Sequence, residues 1–187
     1  MALRQTIEQF NRLLNEVVYS DAHGQTLDAE IVIAAVLGEL VRVREQQGKI
    51  LAIGNGGSAA IASHVITDLR NVGGLCALTL HVAAPLTCFT NDYGYEHAFA
   101  KQIAAFAHPR DLLIAISSSG QSANIVNAAR AANDNGVAVL TLSGFNADNP
   151  LRRLGNWNVW LDSRHYGLVE LGHLFVLHHI SDRLIGS

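Results

Sequence analysis

Two short stretches, residues 49–58 (KILAIGNGGS) and residues 111–122 (DLLIAISSSGQS), decide the fold class of this 187-residue chain. In each, a run of aliphatic residues follows one charged residue and passes directly into a loop of small residues. A continuous aliphatic run of about five residues is typical of a strand buried on both faces of a parallel sheet. A helical pattern follows each loop, so the two stretches predict strand–loop–helix units of an α/β protein.

Residues on either side of these stretches continue the alternation of strand and helix. Apolar residues recur close to every 3.6 positions over residues 2–18 and 26–46, which predicts two N-terminal helices. We expect a single domain in which residues 1–47 form a helical arm and residues 48–187 form an α/β core. This core has three layers, with helices on both faces of a five-stranded parallel sheet. The remaining strands are predicted at residues 76–80, 137–142 and 157–161.

Composition limits the classes of protein to which the chain can belong. The net charge is −3 at pH 7 and 16% of residues are charged, which argues against a nucleic-acid or membrane-surface binder. No aliphatic run approaches the roughly 18–20 residues that span a bilayer, and Arg4, Glu8 and Arg12 interrupt any signal-peptide pattern. We therefore expect a cytoplasmic protein. Cys76 and Cys88 form no metal-binding pattern, and we expect both to be buried, reduced thiols.

The loop after the first core strand, Gly54-Asn55-Gly56-Gly57-Ser58, is suited to contact with a ligand. Glycines let backbone N–H groups approach a ligand closely, and the N-terminus of the following helix favours anions. The pattern is neither a Walker A loop nor Gly-x-Gly-x-x-Gly, so we expect no nucleotide cofactor. A tight turn without a ligand is an equally simple interpretation of these glycines.

The second loop carries hydroxyl groups at Ser117, Ser118, Ser119 and Ser122, directly before a helix. Hydroxyls and free N–H groups at a helix N-terminus can hold a phosphate without a cation. The chain has only two lysines, and neither is predicted in a loop at the carboxyl end of a strand, so a phosphate site would depend on hydroxyls and backbone dipoles. Serine and glycine are also ordinary loop and N-cap residues, so a purely structural role stays open.

Acidic and imidazole side chains are paired on two predicted helices. His64 and Asp68 are four residues apart, and Glu170 and His173 are three apart, so each pair shares a helix face and can chelate one ion. Structural and ligand roles are about evenly balanced for such pairs. Glu170 and His178 lie eight residues apart, about 12 Å along a helix, so both reach one ion only if their side chains lean together or come from different subunits. His173 is the alternative ligand.

The motifs and their order along the chain resemble those of sugar isomerase (SIS) domains, and most closely those of the phosphoheptose isomerase group. The resemblance covers essentially the whole chain: the GNGGSA loop after a strand, a downstream helical histidine, the segment NDYGY at residues 91–95, the SSSGQS loop and a late helix with glutamate and histidine. It implies a flavodoxin-like SIS fold and a homotetramer with sites at subunit interfaces. The low share of charged residues agrees with burial against other subunits.

The resemblance also implies a reaction, the conversion of sedoheptulose 7-phosphate to D-glycero-D-manno-heptose 7-phosphate for surface polysaccharide such as lipopolysaccharide. Aldose–ketose interconversion moves a proton between adjacent carbons through an enediol, which needs a base and an acid or a metal. Asp68 and His178 suit these catalytic roles. The ligands of one Zn²⁺ per subunit would be His64, Asp68, Glu170 and His178. The implied substrate contacts are Asn55, Gly56, Gly57, Ser58, Asp68, Asn91, Asp92 and Glu170, with Ser117, Ser118, Ser119 and Ser122 as the phosphate cradle.

Four features depart from the family pattern. Asp68 stands where the family has a glutamate, so the carboxylate lies about 1 Å or more further back. Glu170 replaces a neutral glutamine, which should strengthen cation binding. The connection between Asp68 and Cys76 is shorter than usual, and Val82 replaces an expected substrate-side acid. Three hypotheses follow: a heptose-type isomerase, an isomerase for another phosphosugar, and a non-catalytic SIS protein that binds a replication-initiator-type partner.

Overall fold

A seven-stranded sheet runs through the centre of the protein in the computed structural model, which describes residues 2–186. The strands are β1 (Val18–Asp21), β2 (Thr26–Leu27), β3 (Ile50–Ile53), β4 (Ala77–Thr79), β5 (Leu112–Ser117), β6 (Ala138–Gly144) and β7 (Trp157–Leu161). The α-helices are α1 (Leu3–Asn15), α2 (Ala29–Glu45), α3 (Gly57–Asn71), α4 (Ala83–Tyr93), α5 (Ala98–Phe106), α6 (Ala123–Asp134) and α7 (Tyr166–Ile185). Short 3₁₀ helices lie at Tyr95–His97 and Leu151–Arg153.

Alternate residues of the central strands face two separate hydrophobic cores. In β3, Ile50 and Ala52 pack in one core with residues of α2, α3 and α7, whereas Leu51 and Ile53 pack in the other with residues of α5 and α6. This alternation follows from the pleat of a strand. All four residues of β3 are buried because helices cover both faces. The predicted three-layer α/β architecture is therefore confirmed.

The order of strands across the sheet is β2-β1-β7-β6-β5-β3-β4. Five neighbouring strands pair in parallel: β7, β6, β5, β3 and β4. Numbered along the chain, these five strands lie in the order 2-1-3-4-5, which is the flavodoxin-like arrangement. The direction in which the chain crosses the sheet reverses between β3 and β5, so the loops after these two strands border the crevice where ligands of such folds bind.

The prediction of five strands is wrong, because a two-stranded hairpin lies between the two N-terminal helices. α1 ends at Asn15, and β1 then pairs antiparallel with β7, which places Tyr19 opposite Val159. The valines at positions 17 and 18 fit the helical period, but β-branched residues also favour strands. Pairing with β1 satisfies an edge of β7 that would otherwise be open. Residues 1–47 are thus not purely helical.

Both lysines interact with groups of the protein itself. Lys49 precedes β3, and its Nζ lies 2.7 Å from Oδ2 of the buried Asp111, just before β5. Burial acts to raise the pKa of Asp111, but hydrogen bonds from the Lys49 side chain and from the N–H groups of His108 and Lys49 outweigh it and lower this pKa. Lys101 Nζ lies 4.6 Å from the ring centroid of Tyr93. Both positive charges are therefore already engaged.

The two cysteines are free, but both are exposed, so the expectation that they are buried is wrong. Cys76 directly precedes the edge strand β4, and Cys88 lies on α4, whose residues are all exposed or half-buried. Among the residues that the structure describes, no helix is both long enough and apolar enough to cross a membrane.

Candidate active site

The loops after β3 and β5 meet in one small pocket, at the carboxyl ends of these strands, where the topology places the crevice. Its volume is about 140 Å³, and we call it the serine pocket. It is lined by Asn55, Ser58, Ile116, Ser117, Ser118, Ser119, Ser122, Tyr166 and Glu170. The start of α7 therefore closes the space between the two loops.

The serines of the pocket offer several hydrogen-bonding groups to a ligand. Ser117 Oγ donates a hydrogen bond to Ser122 Oγ at 3.2 Å, and Ser119 Oγ accepts the N–H of Gln121 at 3.2 Å. Ser118 Oγ is buried and has no hydrogen-bond partner among the described residues. Ser122 is the N-cap of α6, but its side chain does not bond to the helix. Hydroxyls and first-turn N–H groups are therefore available together, as an anion requires.

Gly120 gives the loop of residues 117–122, which we call the serine loop, its sharp turn. Its φ of +64° lies in the left-handed region that favours glycine. A Cβ at this position would collide with the side chain of Asn149, whose Nδ2 bonds to the carbonyl oxygens of Gly144 and Asn146. A larger residue at position 120 would therefore displace the loop that presents the hydroxyls.

Glu170 lies against the first turn of α3. Its carboxylate fills the space into which a side chain at Gly57 would project, so a Cβ at that position would collide with it. The negative charge thus lies at a helix N-terminus, where the helix dipole favours it. Gly56 is the N-cap of α3 with φ +52°, and it connects Asn55 to this first turn.

His64 and Asp68 of α3 and His178 of α7 form a second group, which we call the acid–imidazole cluster. Nε2 of His64 lies 3.0 Å from Nε2 of His178. Oδ2 of Asp68 lies 3.6 Å from His64 Nε2 and 3.5 Å from His178 Nδ1. The three residues offer ligand atoms that all lie within 4.8 Å of one another. The side chains of His64, Asp68 and His178 are 51%, 27% and 42% exposed, so the cluster faces solvent.

The serine pocket and the acid–imidazole cluster lie at two levels of one helix pair. α3 and α7 run in the same direction, because Glu170 meets Gly57 near their beginnings and His178 meets His64 and Asp68 further along. The seven residues from Gly57 to His64 correspond to about 10 Å of helix. Within one chain, Glu170 is therefore not part of the cluster. Three of the four expected metal ligands lie together, and Glu170 lies apart from them.

His173, the alternative ligand, is enclosed in the protein interior. It is completely buried, and its Nε2–H donates to the carbonyl oxygen of Ser143 at 3.0 Å. Burial lowers the pKa of His173 to about 4, although the bond to Ser143 acts in the opposite direction. This imidazole is neutral near pH 7 and lies outside the acid–imidazole cluster, so it is a structural group.

The Asn55 carboxamide is held from two sides. Its Nδ2 donates to Asn124 Oδ1 at 3.0 Å, and its Oδ1 accepts from Asn124 Nδ2 at 2.9 Å and from the Tyr95 hydroxyl at 2.7 Å. The preceding N–H, of Gly54, donates to His81 Nε2 at 3.3 Å. Asn124, Tyr95 and His81 are not among the predicted site residues. Tyr95 does lie in the NDYGY segment, which was the only sequence signal that could have indicated it.

Asn91 and Asp92 lie apart from both groups, on the last turn of α4. Both are exposed, and Asn91 Nδ2 donates to Asp92 Oδ1 at 3.0 Å. Neither lines the serine pocket of its own chain. Apart from Gly56 and Gly57, which lie at the start of α3 between two residues of the pocket, the predicted site residues thus form three groups: the serine pocket, the acid–imidazole cluster and the end of α4.

Comparison with known proteins identifies the family. A model of the family described as SIS domain matches residues 9–144. A phosphoheptose isomerase from Chromohalobacter salexigens is 35% identical over 87% of this chain and 92% of that relative. Solved structures of phosphoheptose isomerases from Neisseria gonorrhoeae and Francisella tularensis are 27% and 28% identical to it, each with a TM-score of 0.83. The first match covers 99% of this chain and 97% of the relative, and the second covers 100% of both. The chain therefore belongs to the SIS domain family and, within it, to the phosphoheptose isomerase group.

Proposed function

We propose that this protein is an aldose–ketose isomerase that converts sedoheptulose 7-phosphate to D-glycero-D-manno-heptose 7-phosphate. One observation carries the proposal: a pocket suited to phosphate lies on the same helix pair as a cluster suited to proton transfer. Similarity to phosphoheptose isomerases supports the substrate class. The product would serve the synthesis of heptose-containing surface polysaccharide such as lipopolysaccharide. We infer a cytoplasmic location, because a charged sugar phosphate does not cross an apolar bilayer unaided.

The serine pocket would bind the phosphate group of the substrate. Hydrogen bonds from Ser117, Ser119 and Ser122 and from the first turn of α6 would replace the water around the phosphate oxygens. The hydroxyl of Ser118 is buried without a partner among the described residues, and a bound phosphate oxygen would remove the cost of leaving it unpaired. Glu170 is anionic, so it would accept hydrogen bonds from sugar hydroxyls rather than contact the phosphate.

Asp68 and His178 would move the protons of the isomerisation. Asp68 would take the proton from C1 of the ketose while His178 protonates the carbonyl oxygen on C2, which gives an enediol. His178 would then take the proton of the C1 hydroxyl while Asp68 delivers its proton to C2, which gives the aldose. Their 3.5 Å separation supports such a concerted assignment, because both groups can face one pair of adjacent carbons.

The donor set of the acid–imidazole cluster fits zinc. Two imidazoles and one carboxylate are the ligand types of catalytic zinc sites, which keep a further position open for substrate. His64, Asp68 and His178 would each hold the ion through one atom, so Asp68 and His178 would move protons through the carboxylate oxygen and the ring nitrogen that do not bind it. Glu170 would join them only from another subunit or after movement of its side chain. When bound, a zinc ion would supply polarisation of the sugar carbonyl.

We propose that the active assembly is a homotetramer in which neighbouring chains complete each site. Apolar side chains on the outer helices support burial against other copies, since Leu3, Leu171 and Phe175 are 77%, 53% and 55% exposed. Asn91 and Asp92 lie outside the pocket of their own chain, so they would reach substrate in a neighbouring chain.

A second candidate is the same reaction on a different phosphosugar. Val82 stands at the N-cap of α4, three residues after the end of β4, and it is 63% exposed. A substrate-side carboxylate at this position would bond to sugar hydroxyls, whereas valine cannot. The loss of such a bond would relax the preference for a seven-carbon sugar.

A direct isomerase assay tests the proposal. The purified protein is incubated with sedoheptulose 7-phosphate, with added Zn²⁺ or with EDTA, and the sugar protons are followed by NMR. We expect a heptose 7-phosphate to form, and EDTA to abolish its formation if the cluster holds a required metal. Turnover of another ketose phosphate but not of sedoheptulose 7-phosphate would establish the second candidate. Turnover of neither, with or without metal, would contradict both.

A further inference from the structure

The Asn55–Asn124 pair is symmetric in its own hydrogen bonds. Each carboxamide donates one N–H to the other and accepts one in return, at 3.0 and 2.9 Å. If both carboxamides turned over together, the same two bonds would form with nitrogen and oxygen exchanged. The pair alone therefore leaves undecided whether Asn55 presents oxygen or N–H toward a ligand.

Tyr95 removes this ambiguity. Its hydroxyl donates to Asn55 Oδ1 at 2.7 Å, a short bond from a phenol to an amide oxygen. In the exchanged arrangement the phenol oxygen would face an NH₂ group and would have to accept, which loses the favourable phenol-to-carbonyl bond. Tyr95 therefore selects the arrangement in which Asn55 Oδ1 lies on its side.

The selected arrangement fixes what Asn55 can offer to the serine pocket. Its Oδ1 accepts two hydrogen bonds, which occupies both lone pairs, and its Nδ2 has given one of two hydrogens to Asn124. The capacity that remains is a single N–H donor on a residue that lines the pocket. We propose that Tyr95 and Asn124 are positioning residues that hold Asn55 as a donor to an oxygen of the phosphosugar, an inference that rests on the proposed function.

One buried aromatic residue, Phe99, packs beside both Tyr95 and His81. Phe99 is completely buried, and its ring centroid lies 6.3 Å from that of Tyr95 and 5.5 Å from that of His81. His81 Nε2 accepts the N–H of Gly54. Phe99 therefore supports both the residue that binds the backbone before Asn55 and the residue that binds the Asn55 side chain. This rigid support gives the Tyr95 hydroxyl a fixed position from which to orient the carboxamide.

Tyr95→Phe is a clean test, because it removes one oxygen from a side chain that is 45% exposed and leaves the packing on Phe99 intact. We expect KM for sedoheptulose 7-phosphate to rise about three- to tenfold with kcat within twofold, since Asn55 would bind ground state and transition state alike. Tyr93→Phe is the matched control: Tyr93 is 47% exposed on the same segment, and we expect its KM to be unchanged.

A double variant separates positioning from a general structural effect. In the Asn55→Ala background, Tyr95→Phe should change KM by less than about 1.5-fold, because the group that it orients is missing. If Asn55→Ala does not fold, Asn55→Ser replaces it as the background with the same expectation, because serine also lacks the carboxamide that Tyr95 orients. A full three- to tenfold effect of Tyr95→Phe in either background would overturn the inference, as would an unchanged KM in the single variant.

A ligand-free measurement keeps this inference distinguishable from the proposed function. The side-chain NH₂ signals of Asn55, identified by their loss in Asn55→Asp, should be sharp in the wild type and broadened or doubled in Tyr95→Phe, as the freed pair exchanges arrangements. Signals that stay sharp and unshifted would overturn the inference even if the enzyme is active. Broadened signals in a protein that turns over no heptose phosphate would keep the inference on Asn55 orientation and reject the proposed substrate.

Discussion

The serine pocket and the acid–imidazole cluster obtain their geometry from different parts of the fold. Ser117 ends β5 and Ser122 caps α6, so the backbone of a buried strand and a helix start determines where the hydroxyls lie. The cluster instead projects from the outer faces of α3 and α7, and its three side chains are between about a quarter and a half exposed. Rotamers rather than backbone therefore determine its distances.

This difference separates binding from chemistry. A pocket set by the backbone is formed before the ligand arrives and costs little reorganisation. An exposed cluster of three polar side chains reaches its working geometry only when a substrate, an ion or a neighbouring subunit restrains it. It follows that the exchange of glutamate for aspartate at position 68 is easier to accommodate in the cluster than a comparable change would be in the serine pocket. Substitutions in the two regions should therefore affect kcat and KM differently.

The largest effect is expected at His178. His178→Gln keeps a polar side chain of similar length but removes the group that accepts and returns protons, so kcat should fall about a thousandfold while KM changes little. Steady-state kinetics with sedoheptulose 7-phosphate measures both constants. His179→Gln is the control, because His179 is the exposed neighbour on α7 and lies outside the cluster. Equal losses in the two variants would remove the catalytic assignment of His178.

Ser119 tests the other region. Ser119→Ala should raise KM about tenfold to a hundredfold and leave kcat nearly unchanged, because a hydrogen bond to a charged phosphate oxygen is lost in both ground and transition states. Ser63→Ala provides the comparison, since the Ser63 hydroxyl donates to the carbonyl oxygen of Ala59 within α3 and does not line the serine pocket. A fall in kcat with constant KM would place Ser119 in the chemistry and contradict the division between the two regions.

The parts of the fold that depend on local pattern could be predicted from the sequence. Aliphatic runs of five or six residues predict the five parallel strands, because buried strands need apolar residues on both faces. The β1–β2 hairpin could not be predicted in this way. Val18 fits the helical period of the preceding residues, and only its long-range pairing opposite Trp160 of β7 decides that it is a strand.

The same limit applies to the candidate site. The serine loop and the spacing of His64 and Asp68 are local, and in the structure the residues of each set lie together. The separation of Glu170 from His178 depends on how α3 and α7 pack, and the bond from Tyr95 to Asn55 spans forty positions of sequence. Such contacts follow from tertiary packing, which a spacing pattern within one helix does not contain.

The smallest effect concerns stability and separates the buried imidazole of α7 from the exposed ones. The pKa of His173 is lowered to about 4 in the folded protein, while an unfolded chain has a histidine pKa of about 6.5. Between these values the unfolded state binds more protons, so the stabilising contribution is full above about pH 6.5 and is lost as the pH falls toward 4. At pH 5.5, His173 alone should lower the free energy of unfolding by on the order of 1 kcal/mol relative to pH 7.5.

Urea unfolding at pH 7.5 and 5.5, at one protein concentration, measures this loss. In His173→Gln the difference between the two pH values should be smaller by about that amount, because glutamine can still donate to the Ser143 carbonyl but does not titrate. His81 also has a pKa lowered by burial, so a residual slope of the same sign should persist in the variant. His179→Gln should keep the wild-type slope. A wild-type slope in His173→Gln would mean that the imidazole is charged in the folded protein at pH 5.5, which its complete burial against the Ser143 carbonyl argues against.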